Sequence, residues 1–141
     1  KKVDLGILRM SLNIVHVKGD SLVLSSAAMP PCYLYSAKSN TVEEIQLSGL
    51  PLGGLYGATF DQVERSFEEG DLFVIVSDGL PEAPNLKGVQ LGYQAVEECI
   101  LQHANKTSNE IKEALVQLGH TWLAGQITPD DITIVIIKKT K

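Results

Sequence analysis

Acidic residues stand where the two most apolar stretches of this 141-residue chain begin or end. Leu72–Val76 runs through Ser77 into Asp78-Gly79, with Glu82 four residues beyond Asp78, and Asp130-Asp131 stands directly before Ile132–Lys138. If the two stretches are antiparallel neighbours in a sheet, Asp78 and Asp130 arrive at the same edge. Two carboxylates meeting there repel unless a cation lies between them. Hard divalent cations such as Mg²⁺ and Mn²⁺ take oxygen ligands of this kind, and Glu82 could join from the adjoining loop. A plainer reading competes. Asp-Gly is a common turn dipeptide, and an Asp after Pro129 often only starts a turn.

Positioning those acids requires particular elements. LGILRMSLNIVHV (5–17) alternates imperfectly, and Lys18-Gly19-Asp20 turns it into SLVLSS (21–26), a hairpin pattern. Pro30-Pro31 interrupts before CYLYSA (32–37), which is followed by a turn at Ser39-Asn40 and by TVEEIQL (41–47). Gly49, Pro51, Gly53, Gly54 and Gly57 mark an irregular loop, and ATFDQVERSF (58–67) reads as a further strand. The unalternating Leu72–Val76 predicts a central strand covered on both faces. Leu91, Ala95, Val96, Cys99, Ile100 and His103 fall at helical spacing. A capping box at Thr107–Glu110 opens a second helix with the stripe Ile111, Leu115, Leu118 and Trp122, and Gly125 is its expected cap. Strands, then two helices, then a last strand predict an α+β fold: an antiparallel β-sheet sandwich flanked by α-helices.

The length suits one domain, burying roughly 68–70% of its unfolded surface. With 44% hydrophobic and 21% charged residues the composition is that of a soluble globular protein. A net charge of -5 with scattered basic residues excludes an electrostatic footprint for nucleic acid, and the Lys138–Lys141 tail reads as a solvated end. No apolar run is long enough for a membrane span, and Asp4, Arg9, Ser11 and Asn13 interrupt any signal-peptide core. Cys32 and Cys99 read as free thiols in a reducing compartment, with one long-loop disulfide as the alternative. His16, His103 and His120 read as structural or solvated.

FEEGDLFVIVSDGLPEAPN, KGVQLGY and PDDITIVIIK together resemble the bacterial metal-dependent protein phosphatase (protein phosphatase 2C-like) family, in its stage II sporulation protein E and sigma-factor regulator branch. The matching features are Gly70-Asp71, the apolar strand, Ser77-Asp78-Gly79-Leu80 with Glu82, a Gly-Leu-Pro-Leu-Gly loop at 49–53, and Asp130-Asp131-Ile132-Thr133. The resemblance implies a metal site: Asp78 and Asp130 as ligands, Gly79 in the same turn, Asp131 as an outer group, and Glu82 beside a weaker ion. It implies hydrolysis of phosphoserine or phosphothreonine by water activated between two Mn²⁺ or Mg²⁺ ions, with no cysteine or serine nucleophile. It further implies a cytoplasmic phosphoprotein substrate such as an anti-sigma-factor antagonist, and sensor or receiver domains upstream.

Two departures temper the resemblance. Ser26-Ala27-Ala28-Met29-Pro30-Pro31 stands where the family has Asn-Ala-Gly-His-Pro-Pro, and the family's upstream Gly-Asp and Asp-x-x-Gly-His-Gly motifs have no counterpart in residues 1–60. The chain begins with Lys, and is expected to be the last two-thirds of a single domain, inactive alone. A phosphatase-like interaction module without catalysis is the alternative. Sheet edges left by missing strands lead to an expected homodimer.

Overall fold

The computed structural model describes residues 7–140. The chain divides into two units, Lys1–Met29 with Gln46–Phe67, and Pro30–Ile45 with Glu68–Lys141. Together they hold two antiparallel sheets and two helices, an α+β fold as expected.

The first unit is a three-stranded sheet of β1 (Leu12–Lys18), β2 (Ser21–Ala27) and β5 (Gln62–Ser66), in the order β1-β2-β5. Gly19, at φ 56°, makes the expected hairpin turn. β1 begins at Leu12, later than the sequence predicts, because its last partner is Ala27 and the next residue, Ala28, turns left-handed at φ 54°. Leu5 and Gly6 of the expected strand lie outside the described residues. β5 is shorter than 58–67 for a similar reason, pairing only with Ser21–Ser25 and closing with Ser66.

The second unit holds β3 (Cys32–Ser36), β4 (Thr41–Ile45), β6 (Leu72–Val76) and β7 (Ile134–Lys138), ordered β4-β3-β6-β7, with α1 (Tyr93–His103) and α2 (Ser108–Leu123). β4 stops at Ile45, opposite Cys32, because Pro31 offers no N–H to extend the ladder. Period-2 geometry puts Tyr33, Tyr35, Leu72, Val74 and Val76 in one core cluster with Val96, Ile100, Ile111 and Leu115 of the helices. Each such buried side chain contributes about 1.5–3 kcal/mol, far more than the exposed Lys112–Glu113 pair at 2.9 Å. Packing therefore decides where the helices lie.

The helix ends follow local chemistry. Thr107 and Glu110 form the full capping box, with the Thr107 N–H donating to Glu110 Oε2 at 2.9 Å. The C-terminal cap is Ala124, left-handed at φ 50°, with its N–H on the His120 carbonyl, so the expected cap at Gly125 is one residue late. Lys138 is no solvated tail. It ends β7, and its Nζ donates to the Ala104 and Lys106 carbonyls past the C-terminus of α1, where a cation complements the helix dipole. The thiols are free and buried, and desolvation pushes Cys32 up to about 11.

Asp71 is the one buried carboxylate among the described residues. Its Oδ1 accepts the Ala37 N–H at 2.8 Å and its Oδ2 the Glu68 N–H at 2.7 Å. Its backbone carbonyl accepts from Lys139 at 2.9 Å, so one residue ties the β3–β4 turn, the start of β6 and the end of β7. Asp71→Ala leaves two N–H groups without their acceptor and is expected to cost roughly 3 kcal/mol. Urea denaturation reads this as a lower midpoint with an unchanged m-value.

Candidate metal centre

β6 and β7 are antiparallel neighbours, with Val76 opposite Ile134. The condition set by the sequence is met: the residues after β6 and those before β7 share one sheet end. The ladder does not stop at Val76. Ser77 N–H donates to the Thr133 carbonyl at 3.0 Å, and Thr133 N–H donates to Ser77 Oγ at 2.9 Å. The Ser77 hydroxyl in turn donates to the Asp131 carbonyl at 3.1 Å. A side chain has taken over from the backbone here, so β7 starts at Ile134 and not at Ile132.

Gly79 completes this clasp. A Cβ at that position would overlap the Asp131 carbonyl oxygen and stand 3.0 Å from its carbonyl carbon and 3.4 Å from the Asp130 carbonyl oxygen. Only glycine permits this approach of the two backbones. Residues 78–82 then form one helical turn closed by Glu82 N–H on the Asp78 carbonyl at 2.9 Å. The i, i+4 spacing puts Asp78 and Glu82 on one face of that turn. Opposite, Asp130 Oδ1 accepts the Asp131 N–H at 2.8 Å, which orients its carboxylate.

The result is a cleft of about 420 Å³ lined by Asp78, Gly79, Glu82, Pro84, Gly88, Gln90, Pro129 and Asp130. Asp131, expected as an outer group, does not line it. Its side of the chain faces a second cavity of about 400 Å³ with Leu80, Gly119 and Ile134, and its contribution to the acidic cleft is through its backbone.

The far wall of the cleft is a structure the sequence reading did not foresee. Residues 81–92 fold as a short hairpin, with Leu91 N–H on the Ala83 carbonyl at 3.0 Å and Gly92 N–H on the Pro81 carbonyl at 2.7 Å. Asn85 Oδ1 accepts the N–H groups of Lys87 and Val89 at 2.9 and 3.1 Å, shaping the tip. The Trp122 indole N–H, from α2, donates to the Val89 carbonyl at 3.1 Å. The signal available in advance was Asn85 three residues before Gly88, a turn-forming pair.

Carboxylate oxygens around a cleft suit a hard divalent cation, which completes its shell with water. The residues present fit part of such a shell: among the described residues no three His, Cys, Asp or Glu side chains form a ready group. The histidines stay outside the cleft lining, and His103 Nδ1–H is used on the Cys99 carbonyl at 2.9 Å.

The sequence and the fold both have counterparts among known proteins. Residues 6–140 match the family profile of stage II sporulation protein E (SpoIIE). The chain is 27% identical over 118 residues to the phosphoserine phosphatase RsbU of Bacillus subtilis, covering 82% of this chain and 34% of that protein. Its fold is similar to the SiaA-PP2C domain of Pseudomonas aeruginosa, with a TM-score of 0.72 and 21% identity over 85% of this chain and 47% of that one. It is also similar to the Mn-presoaked phosphatase domain of the Bacillus subtilis cell fate determinant SpoIIE, with a TM-score of 0.71 and 20% identity over 94% of this chain and 56% of that one. The chain thus spans about a third of the curated relative and about half of the solved domains.

Gly79→Ala is expected to force the two strand ends apart at a cost of roughly 1–3 kcal/mol. Amide exchange at Ser77 and Thr133 should speed up more than exchange in mid-β6. Unchanged exchange at those two amides would show that the ends are not clasped.

Proposed function

The chain belongs to the stage II sporulation protein E (SpoIIE) family, and on that premise we propose that it carries the metal-holding end of a bacterial protein serine/threonine phosphatase acting in signal transduction. Asp78 and Asp130 hold the ion, Glu82 stands by a second and weaker position, and Gly79 and Asp131 shape the site through their backbones. The observation that supports this most is the clasp between the ends of β6 and β7, which puts Asp78 and Asp130 on one cleft.

When bound, Mn²⁺ or Mg²⁺ supplies charge neutralisation at a phosphoryl group and a more acidic water. The chain's own residues do the rest. Asp78 is carried by a turn that Gly79 and Glu82 N–H hold rigid, and Asp130 is held by its own bond to Asp131 N–H. Thiol chemistry is not part of this scheme, because burial raises both cysteines and keeps them protonated.

The substrate in this reading is a phosphoserine or phosphothreonine protein such as an anti-sigma-factor antagonist. RsbU, a phosphoserine phosphatase, motivates that choice. The reading places the protein in the cytoplasm, as one phosphatase-like domain governed by sensor or receiver domains upstream and able to pair as a homodimer. Among the described residues no helix is long and apolar enough to cross a membrane.

A second reading keeps the fold and drops the chemistry: a phosphoprotein-binding module without hydrolysis. That the described residues hold no ready three-ligand group favours it. Calorimetric titration with Mn²⁺ separates the two. Asp78→Asn and Asp130→Asn should each weaken Mn²⁺ at least 10-fold, and a form extended upstream should release phosphate from a phosphoserine peptide. Equal Mn²⁺ binding by the parent chain and both variants would overturn the metal centre. Phosphopeptide binding without phosphate release would establish the module.

A further inference from the structure

Gln90 lines the acidic cleft without being one of its acids. The hairpin fixes its backbone from three directions. Gln90 pairs with Pro84 across the hairpin as an antiparallel bridge. The next residue, Leu91, is buried and has its N–H on the Ala83 carbonyl at 3.0 Å. The carbonyl of the preceding residue, Val89, accepts the Asn85 N–H at 2.9 Å and the Trp122 indole N–H at 3.1 Å. Successive residues of an extended segment turn to opposite sides. With Leu91 turned into the core, Gln90 is turned out, and it is exposed where the cleft opens.

We propose that Gln90 is a substrate-binding residue: from the hairpin wall of the cleft, its carboxamide donates a hydrogen bond to a phosphoryl oxygen of the phosphoserine substrate. The proposal deepens the metal-centre reading and rests on it.

The argument is one of donors and acceptors. Asp78, Glu82 and Asp130 bring carboxylates to the cleft, which accept hydrogen bonds and do not donate, while Pro84 and Pro129 bring apolar rings. The oxygens of a phosphoserine are acceptors too. Gln90 is the one lining side chain that can donate to them. Its amide is also available. Gln94, Gln117 and Gln126 spend theirs on Glu98, Thr121 and the Leu123 carbonyl, whereas among the described residues the Gln90 amide has no partner. A lysine in its place would pair with the carboxylates and compete with the cation. A carboxamide donates without a charge of its own, and its bond to a charged acceptor is stronger than one between neutral groups.

Calorimetry on the 141-residue chain tests this, first with Mn²⁺ and then, in saturating Mn²⁺, with a phosphoserine peptide and its unphosphorylated form. Gln90→Ala should bind Mn²⁺ as the parent does and bind the phosphoserine peptide roughly 10-fold more weakly. Gln90→Glu, of the same size but acceptor-only, should lose at least as much, and the unphosphorylated peptide should not tell the parent from either variant. Phosphopeptide binding that Gln90→Ala or Gln90→Glu leaves unchanged would overturn the proposal. If that binding still falls with Asp78→Asn, the metal centre stands without Gln90. Equal losses for the two peptides would also overturn it, because the contact would then not be with the phosphoryl group. A parent chain that takes up neither Mn²⁺ nor phosphopeptide in an Asp78-dependent way would sink the metal centre and this proposal together. Gln90 is exposed, so both variants should melt as the parent does, and a lowered melting temperature that accompanies the loss would count against a substrate contact.

Discussion

The near-contact of two backbones at the end of β6 and β7 is the constraint on which the rest of the second unit depends. Gly79 lies against the carbonyls of Asp130 and Asp131, and Ser77 exchanges three hydrogen bonds with Asp131 and Thr133. Each bond is worth about 1 kcal/mol net. Their weight lies in geometry, because a strand pair without them would fray at its ends and let the acids drift apart. The apolar ladder from Leu72 to Val76 brings the strands together, and the clasp fixes the acid-bearing segments at their ends.

Two kinds of aspartate show how differently this fold treats charge. Asp71 is buried, and its desolvation is offset by two backbone N–H groups and a position at the crossing of three segments. Asp78, Glu82 and Asp130 are exposed around an open cleft. In water two such charges 4 Å apart repel by only about 1 kcal/mol, so solvent makes acids around one open cleft inexpensive. An acid that stabilises the fold is satisfied by the chain itself. Acids around an open cleft are satisfied by solvent instead.

Much of this was legible in the sequence. The unalternating Leu72–Val76, the capping box at Thr107 and the Gly19 turn are local patterns whose chemistry has one strong solution, and the structure holds all three. Strand ends were less legible. Whether β1, β4 and β5 continue depends on a partner's Ala28, Pro31 or last paired residue, which the strand's own residues do not reveal. Ile132-Thr133 reads as strand because it is β-branched and apolar, yet the Ser77 hydroxyl competes for the same backbone groups. The grouping of Asp78 with Asp130 could be stated only as a condition on strand pairing. The resemblance of several ordered motifs carried the family, which no single Asp-Gly could have done.

The hairpin of residues 81–92 was invisible for a different reason. Its tip has no apolar alternation, since Asn85, backbone bonds and one indole N–H shape it, and only its base, at Ala83 and Leu91, is buried. That arrangement makes α2 the backing of the cleft. Gly119 lets Leu80 approach to where a Cβ would stand 3.0 Å away, and Trp122 holds Val89 three residues further along the same helix. One side of the cleft follows Asp78 through Leu80, and the other follows the hairpin through Val89. Both rest on a single turn of α2, so a displacement of that helix moves the two walls together. The same helix is fixed by its cap and by Ile111 and Leu115 in the core. The stability of α2 and the shape of the acidic cleft are therefore one property of the chain, set by packing at one end and by two close contacts at the other.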